Sequence, residues 1–339
     1  MRLIGKQTWQ FQQPIYVEGT GTAVGPKEAR GPLGKYYDMK YDKLDCGESS
    51  WEMAERRLLN DAVQTCITKS QYTADDVDLF LAGDLMNQNV TTNYAARDIG
   101  IPLLCMFGAC STSMETLAVA AALIDGGFAN RAIAAASSHN ASAEKQFRYP
   151  TEYGSQKPDT ATFTVSGSGA VLIGKKQGNV KITAATIGKV IDYGLNDPFD
   201  MGSAMAPAAA DTISRHFKDM ARSPQDYDLI ATGDLSAVGS PLLVQLLQKE
   251  GYDLSKVHND CGLMVYYSDQ GVFAGGSGCA CSAVVTYGYL LDEISKGNLK
   301  RVFVVATGAL LSPTILNQKE TIPTIAHGVV FEHVEQSEK

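Results

Sequence analysis

Residues 107–116 read Phe-Gly-Ala-Cys-Ser-Thr-Ser-Met-Glu-Thr. A cysteine stands between a glycine-containing turn and a run that reads as helix. The helix dipole and the unpaired N–H groups of a first turn favour a thiolate, so Cys110 is a candidate nucleophile. The same N–H groups would hold a carboxylate or an oxyanion, and a small buried side chain accounts for the residue equally well. His139, in Ser137-Ser-His-Asn140, follows an apolar run that reads as a strand, and ligands of open α/β units gather at strand ends. A hydrogen-bonded structural histidine is the alternative there. Arg148, with Tyr149 beside it, has the fork that recognises carboxylates, or else serves a surface or a dimer interface. Gly278 lies in Gly275-Gly-Ser-Gly-Cys-Ala-Cys-Ser282, a turn suited to cradling an anion with backbone N–H groups or to tight helix packing. The Lys-Ser/Thr of a phosphate-binding loop is missing, so no nucleotide is implied.

His258, Cys261, Cys279 and Cys281 are of zinc-ligating types, but Cys-x-Cys is short for a structural zinc site. Asp200, Asp211 and Asp260 are scattered and fit no calcium loop. The residues therefore call for no metal site and no cofactor.

These candidates need elements to position them, and the chain supplies those twice. Asp76-Val-Asp-Leu-Phe-Leu-Ala-Gly-Asp-Leu85 is echoed by Asp226-Tyr-Asp-Leu-Ile-Ala-Thr-Gly-Asp-Leu235, an offset of 150 residues. Each reads as a buried parallel strand ending in Gly-Asp. Gly126–Ser138 is echoed by Lys296–Gly308 at an offset of 170, each a helix stop followed by a buried strand. The same shift carries Cys110 onto Ala280, so two helix N-termini should face each other across a pseudo-twofold axis. The boundary falls at Lys175–Asn179, giving halves 1–178 and 179–339. Ser49 with Glu52 reads as a capping box for a helix carrying Ala54, Leu58, Ala62 and Cys66 on one face. Ser240-Pro241 reads as a helix start and Gly251 as its stop. Small residues at 118, 121 and 122 place the helix after Cys110 near the molecular centre. Residues 12–45 read as irregular, and 139–164 as a long polar loop of the kind that carries function.

The 339 residues carry a net charge of −8 and a pI near 5.2 without a dense basic stretch, which argues against nucleic acid as a partner. No secretory signal follows Arg2 and Lys6, and apolar runs such as Ala118–Ile124 are too short to span a membrane. A cytosolic chain is expected, with a peripheral membrane role open. Seven scattered cysteines do not form a disulfide framework.

Two α/β halves, the Cys110 turn opening an Ala-rich helix, and Gly167-Ser-Gly-Ala-Val-Leu172 are similar to the thiolase superfamily, with the ketoacyl-ACP synthase III branch as the nearest enzyme class. Within it, nearly the whole chain resembles the stage V sporulation AD family of spore-forming bacteria. Gly5-Lys-Gln-Thr-Trp9, Met106–Glu115, Ser137–Asn140, Gln146–Tyr153, Asp197–Pro207 and Gly275–Cys281 carry that resemblance. It implies a five-layered αβαβα thiolase-like fold with two pseudo-symmetric halves, and a homodimer. It also implies a protein that binds dipicolinate, with calcium carried by the ligand, and supports its uptake into the developing spore. The partners implied are dipicolinate and the other subunits of a spore membrane channel complex, at the cytoplasmic face of the sporulating cell or the spore inner membrane. Condensing enzymes of this fold pair the cysteine with His and Asn, or with two His. Carried over, those positions fall on Thr232 and Ser277, neither of which is a base at neutral pH. The resemblance thus implies a degenerate site at Cys110, Thr232 and Ser277, and with His139, Arg148 and Gly278, read from their own chemistry above, these are the candidates to hold ligand. An active acyltransferase or condensing enzyme using Cys110 is the alternative, and a scaffold that only docks membrane subunits is the third reading.

Overall fold

Apolar residues run together in both repeats because each strand is covered on two faces. In the computed structural model, which describes residues 2–147 and 157–335, those runs fall into two sets of five strands. The first comprises β1 (Thr8–Val24), β2 (Leu79–Gly83), β3 (Leu103–Cys105), β4 (Arg131–Ser138) and β5 (Gly167–Gly174). The second comprises β6 (Val180–Thr186), β7 (Leu229–Thr232), β8 (His258–Asp260), β9 (Arg301–Ala309) and β10 (Thr324–His333). The orders β3-β2-β4-β5-β1 and β8-β7-β9-β10-β6 repeat one topology. In each set the first two pairings are parallel and the last two antiparallel. Antiparallel pairing of β1 with β6, from Thr8 opposite Thr186, joins the sets into one sheet.

Helices complete five layers. α1 (Trp51–Lys69) and α2 (Val90–Ile99) cover the outer face of the first set. Between the sets lie α3 (Thr112–Asp125) and a central helix from the second half, while the short α4 (Asn140–Phe147) packs against α1 at the edge. α5 (Met201–Met220) and α6 (Ser236–Lys249) cover the outer face of the second set. The second-half central helix is α7 (Cys279–Val284), which continues through a π turn at Val285–Leu290 into Leu291–Ser295. Small side chains let α3 and α7 meet: Ser113 Oγ lies 2.7 Å from Ser282 Oγ, and Tyr287 Oη donates to the Ser113 carbonyl at 3.1 Å. Fully buried Met114, Leu117, Ala118, Ala121, Ala280, Ala283 and Val284 fill this central layer. Alternation of core faces along the strands thus yields a mixed α/β fold.

Local details depart from the sequence reading for identifiable reasons. Ser50, not Ser49, caps α1, because its Oγ accepts from the Met53 N–H at 3.2 Å. α6 begins at Ser236 and carries Pro241 inside. Its first N–H groups are capped from a distance, the Leu235 and Ser236 N–H groups donating to Asp260 at 2.9 Å each. Gly251 follows that helix with φ +90°, as a stop residue should. Residues 12–45 contain most of β1, whose period-two pattern is broken by register shifts between Gln10 and Ile15 and between Val17 and Gly19. The stretch 139–164 opens with α4, which a polar composition concealed.

Gly308, at the end of β9, touches the turn before Cys110. A Cβ there would stand 2.3 Å from the Gly108 carbonyl oxygen and 3.0 Å from the Ser111 nitrogen. Both obstacles are backbone and cannot swing aside. Gly308→Ala is expected to destabilise the fold by about 1–3 kcal/mol in denaturant unfolding, and an unchanged midpoint would show that the turn has room to yield.

Candidate functional site

Cys110 stands on a tight corner between β3 and α3. Ala109 just before it takes φ +50°, a left-handed conformation that costs an L-residue roughly 1–2 kcal/mol. Surrounding bonds hold that conformation. The Ala109 carbonyl accepts from the Thr112 hydroxyl at 2.6 Å and from the Cys279 thiol at 2.9 Å. Ser111 Oγ donates to the Ala306 carbonyl at 2.9 Å and accepts the His327 N–H at 3.0 Å. The corner is thus tied to α7, β9 and β10, all from the second half.

Across the pseudo-twofold, Ser277 faces Cys110, with Sγ and Oγ 3.9 Å apart. Behind Ser277 lies Asp234, fully buried. Its Oδ2 accepts from Ser277 Oγ at 2.7 Å and from the Gly278 N–H at 3.1 Å, and its Oδ1 accepts from Thr307 Oγ1 at 2.6 Å. Since the Ser277 proton goes to Asp234, the serine oxygen is left to accept from the thiol. Protons therefore point from Cys110 toward Asp234, an order that solvates the carboxylate and not a thiolate. Burial raises the Cys110 thiol well above its ordinary value, and the Asp234 charge raises it further. Burial likewise raises Asp234, against the opposing effect of its donors. The dipole effect of about 0.3–1 kcal/mol that favours a thiolate at this corner is outweighed.

A cavity of about 50 Å3 opens over Cys110. Leu85, Phe107, Phe147, Pro198, Met201 and Leu311 form most of its wall, with Cys110, Ser277 and Thr164 supplying polar atoms. Among the described residues no Lys, Arg, Asp, Glu or His lines it.

The structure brings Cys110 and Ser277 together, with the Gly278 N–H directed at Asp234. Thr232 lies elsewhere. It is buried at the end of β7, donating to Asp260 Oδ2 at 2.6 Å and accepting from His258 Nε2 at 2.9 Å. His139 does not line the cavity either, although its carbonyl accepts from the N–H of Ala143 in the wall at 3.0 Å. Its Nε2–H donates to the Leu44 carbonyl at 2.8 Å, its Nδ1 accepts from the Ala141 N–H at 3.2 Å, and its ring stacks on Trp51. Burial lowers its pKa, which fits a neutral ring. Arg148 and Tyr149 lie outside the described residues. The thiols of Cys279 and Cys281 donate to the Ala109 and Gly233 carbonyls. No three His, Cys, Asp or Glu side chains among the described residues are placed to hold a metal ion.

Asp234 is the site residue that reading the sequence missed. Its signal was present in the Gly-Asp-Leu that closes each repeated strand. The repeat partner Asp84 is also fully buried, but it caps α2, accepting the Thr92 N–H at 2.8 Å and the Thr92 hydroxyl at 2.7 Å. Next to it Glu55 is buried with Ser137 and Ser142 as donors, behind the Leu85 and Ala143 side of the cavity. Burial, and then the charge of Asp84, push Glu55 up to about 8.

A family model described as Stage V sporulation protein AD matches residues 5–332. The stage V sporulation protein AD of Bacillus subtilis (strain 168) is 67% identical over 332 residues, 98% of this chain and 98% of that one. Among solved structures, 3-oxoacyl-[acyl-carrier-protein] synthase III from Aquifex aeolicus VF5 aligns with a TM-score of 0.59 at 12% identity, covering 94% of this chain and 100% of that one. Cerulenin-bound OleA of Xanthomonas campestris aligns with a TM-score of 0.60 at 13% identity, over 95% of this chain and 98% of that one. At such identity the structural likeness establishes the fold alone.

Two outcomes are expected. Iodoacetamide at about pH 8 should label the exposed Cys105 well before Cys110, and Asp234→Asn should speed Cys110 labelling by roughly tenfold or more. Peptide mass spectrometry reads both rates, and faster labelling of Cys110 than Cys105 contradicts the electrostatics. Glu55 has a folded pKa raised from 4.5 to about 8, so its contribution to stability is complete below 4.5 and is lost as pH climbs through 8. Thermal melts should show wild type losing stability relative to Glu55→Gln over that window, by at most about 1.4 kcal/mol per pH unit.

Proposed function

The chain belongs to the stage V sporulation protein AD family, and from that premise we propose that it binds dipicolinate at the Cys110 pocket and supports its uptake into the developing spore. In this reading the site has lost the catalysis of thiolase-fold condensing enzymes. The observation that carries it is the Cys110–Ser277–Asp234 alignment. A condensing cysteine needs a base or a cation that favours its thiolate. Here the neighbouring groups are a hydroxyl that accepts from the thiol and a buried carboxylate that repels the thiolate.

The cavity fits ligand binding only with movement. Its volume of about 50 Å3 is well below the ~300–1,000 Å3 of common small-molecule sites. Half-exposed Phe107 and the neighbouring Phe147 and Met201 are the side chains that must swing to admit a pyridine dicarboxylate. Calcium chelated by the ligand supplies the positive charge that the described wall lacks. Arg148, the residue after Phe147, is the candidate cation from the protein itself.

For partners, the proposal is a homodimer bound peripherally to other subunits of the spore membrane channel complex. Leu104 on the edge strand β3 and Phe107 beyond it are exposed next to the cavity, which supports a protein contact on that side. Among the described residues no helix is long and apolar enough to cross a membrane.

One observation favours an acyl-transfer enzyme: Cys110 is presented on a strained corner, and strain of that kind clusters at functional sites. Mass spectrometry after incubation with acyl-CoA donors separates the readings, since a Cys110 thioester requires the enzyme. Calorimetric titration is expected to show dipicolinate binding, stronger with calcium. Leu311→Trp, which fills the cavity from its rim, should weaken it at least about tenfold, ~1.4 kcal/mol. An absence of heat at millimolar ligand would end the binding proposal.

A further inference from the structure

A buried carboxylate one side chain behind a pocket that takes an anion has a thermodynamic consequence. Asp234 reaches the cavity through Ser277, whose Oγ is 2.7 Å from Asp234 Oδ2 and 3.9 Å from Cys110 Sγ at the cavity floor. A ligand carboxylate resting on the Ser277 hydroxyl or the Cys110 thiol stands within a few ångströms of that carboxylate. Like charges at roughly 4–6 Å disfavour the ionised form of at least one of them.

Nothing described around Asp234 offsets the second charge. Its hydrogen-bond donors are uncharged: Thr307 on β9, and Ser277 and Gly278 ahead of α7. The ionisable groups that interact with it are acids, namely Asp260 at the end of β8 and the thiols of Cys261, Cys279 and Cys281, and the one base of this cluster, His258, bonded through Thr232 to Asp260, is held neutral by burial that lowers it to about 4. Two routes to neutrality remain, a proton on Asp234 or a cation brought by the ligand.

We propose that Asp234 sets the charge state of the ligand the pocket accepts, so that binding of a metal-free dicarboxylate is coupled to uptake of a proton by Asp234, whereas its neutral calcium chelate binds without one. The inference rests on the reading that the Cys110 pocket is the ligand site. The proton comes from solvent, no covalent bond changes, and Ser277 can turn its hydroxyl from the neutralised acid toward the incoming carboxylate. The sign follows from linkage. Binding raises the Asp234 pKa, so affinity for the free dicarboxylate is highest below its value in the empty protein. Affinity then declines by up to about tenfold per pH unit until the value in the complex is reached.

The test is calorimetric titration of the full chain with dipicolinate, repeated in buffers of different ionisation enthalpy from about pH 6 to about pH 9, which counts protons taken up per ligand. Expected for wild type is uptake that rises with pH toward about one proton for the free ligand and stays near zero for the calcium chelate. Asp234→Asn should bind with no uptake and with affinity for the free ligand flat across the same range. Its fold is checked by melting, and if it does not fold the wild-type comparison of free ligand against chelate still decides. Binding without buffer dependence at any pH overturns the inference while leaving the pocket reading intact, as does uptake that persists in Asp234→Asn or that is equal for the chelate. Absence of any binding overturns both.

Discussion

The site depends on one buried charge. Asp234 sits where two halves of the molecule meet, and three donors from two segments converge on it: Thr307 from β9, and Ser277 and the Gly278 backbone from the turn before α7. An isolated carboxylate in such a place would be too costly to ionise, so its neighbours must be donors. That requirement fixes the Ser277 proton, leaves the Ser277 oxygen to the Cys110 thiol, and holds Gly278 at φ +101° at the head of α7. Burial, and then the same carboxylate, raise the thiol pKa. One group thus organises the turn before α7, orients the pocket floor and quiets the cysteine.

Placing that charge requires the two halves to approach very closely. Ser113 and Ser282 touch across the centre, and Gly308 lies against the backbone of the Cys110 corner. Larger residues at these points would part the central helices from the sheets and open the pocket. Close packing here serves the site as much as stability, because Cys110 comes from one half and Ser277 and Asp234 come from the other.

Repetition of the fold did not repeat the chemistry. Asp84 and Asp234 occupy matching strand ends, yet Asp84 caps α2 and repels the Glu55 carboxylate, whereas Asp234 reaches toward the cavity through Ser277. Thr232 and Ser277 were carried over together from the enzyme pattern, but only Ser277 meets Cys110. Thr232 is bonded to Asp260 and His258.

The sequence by itself determined what depends on local pattern and repetition. The buried strands ending in Gly-Asp, the Ala-rich central helix, the matching corners at Cys110 and Ala280, and the family all follow from residue order. Side-chain periodicity and small-residue runs are properties of neighbours in the chain. Reading failed where the determinant was distant. β1 was hidden by bulges that only its partners β5 and β6 reveal, and the start of α6 is set by Asp260 rather than by a local cap. The candidates at His139 and Thr232 were separated from the cavity by contacts with Leu44, Trp51, His258 and Asp260 that no spacing encodes. Whether Cys110 meets a base, a cation or a buried carboxylate was decided only in three dimensions, because the pKa of a thiol depends on what folds against it.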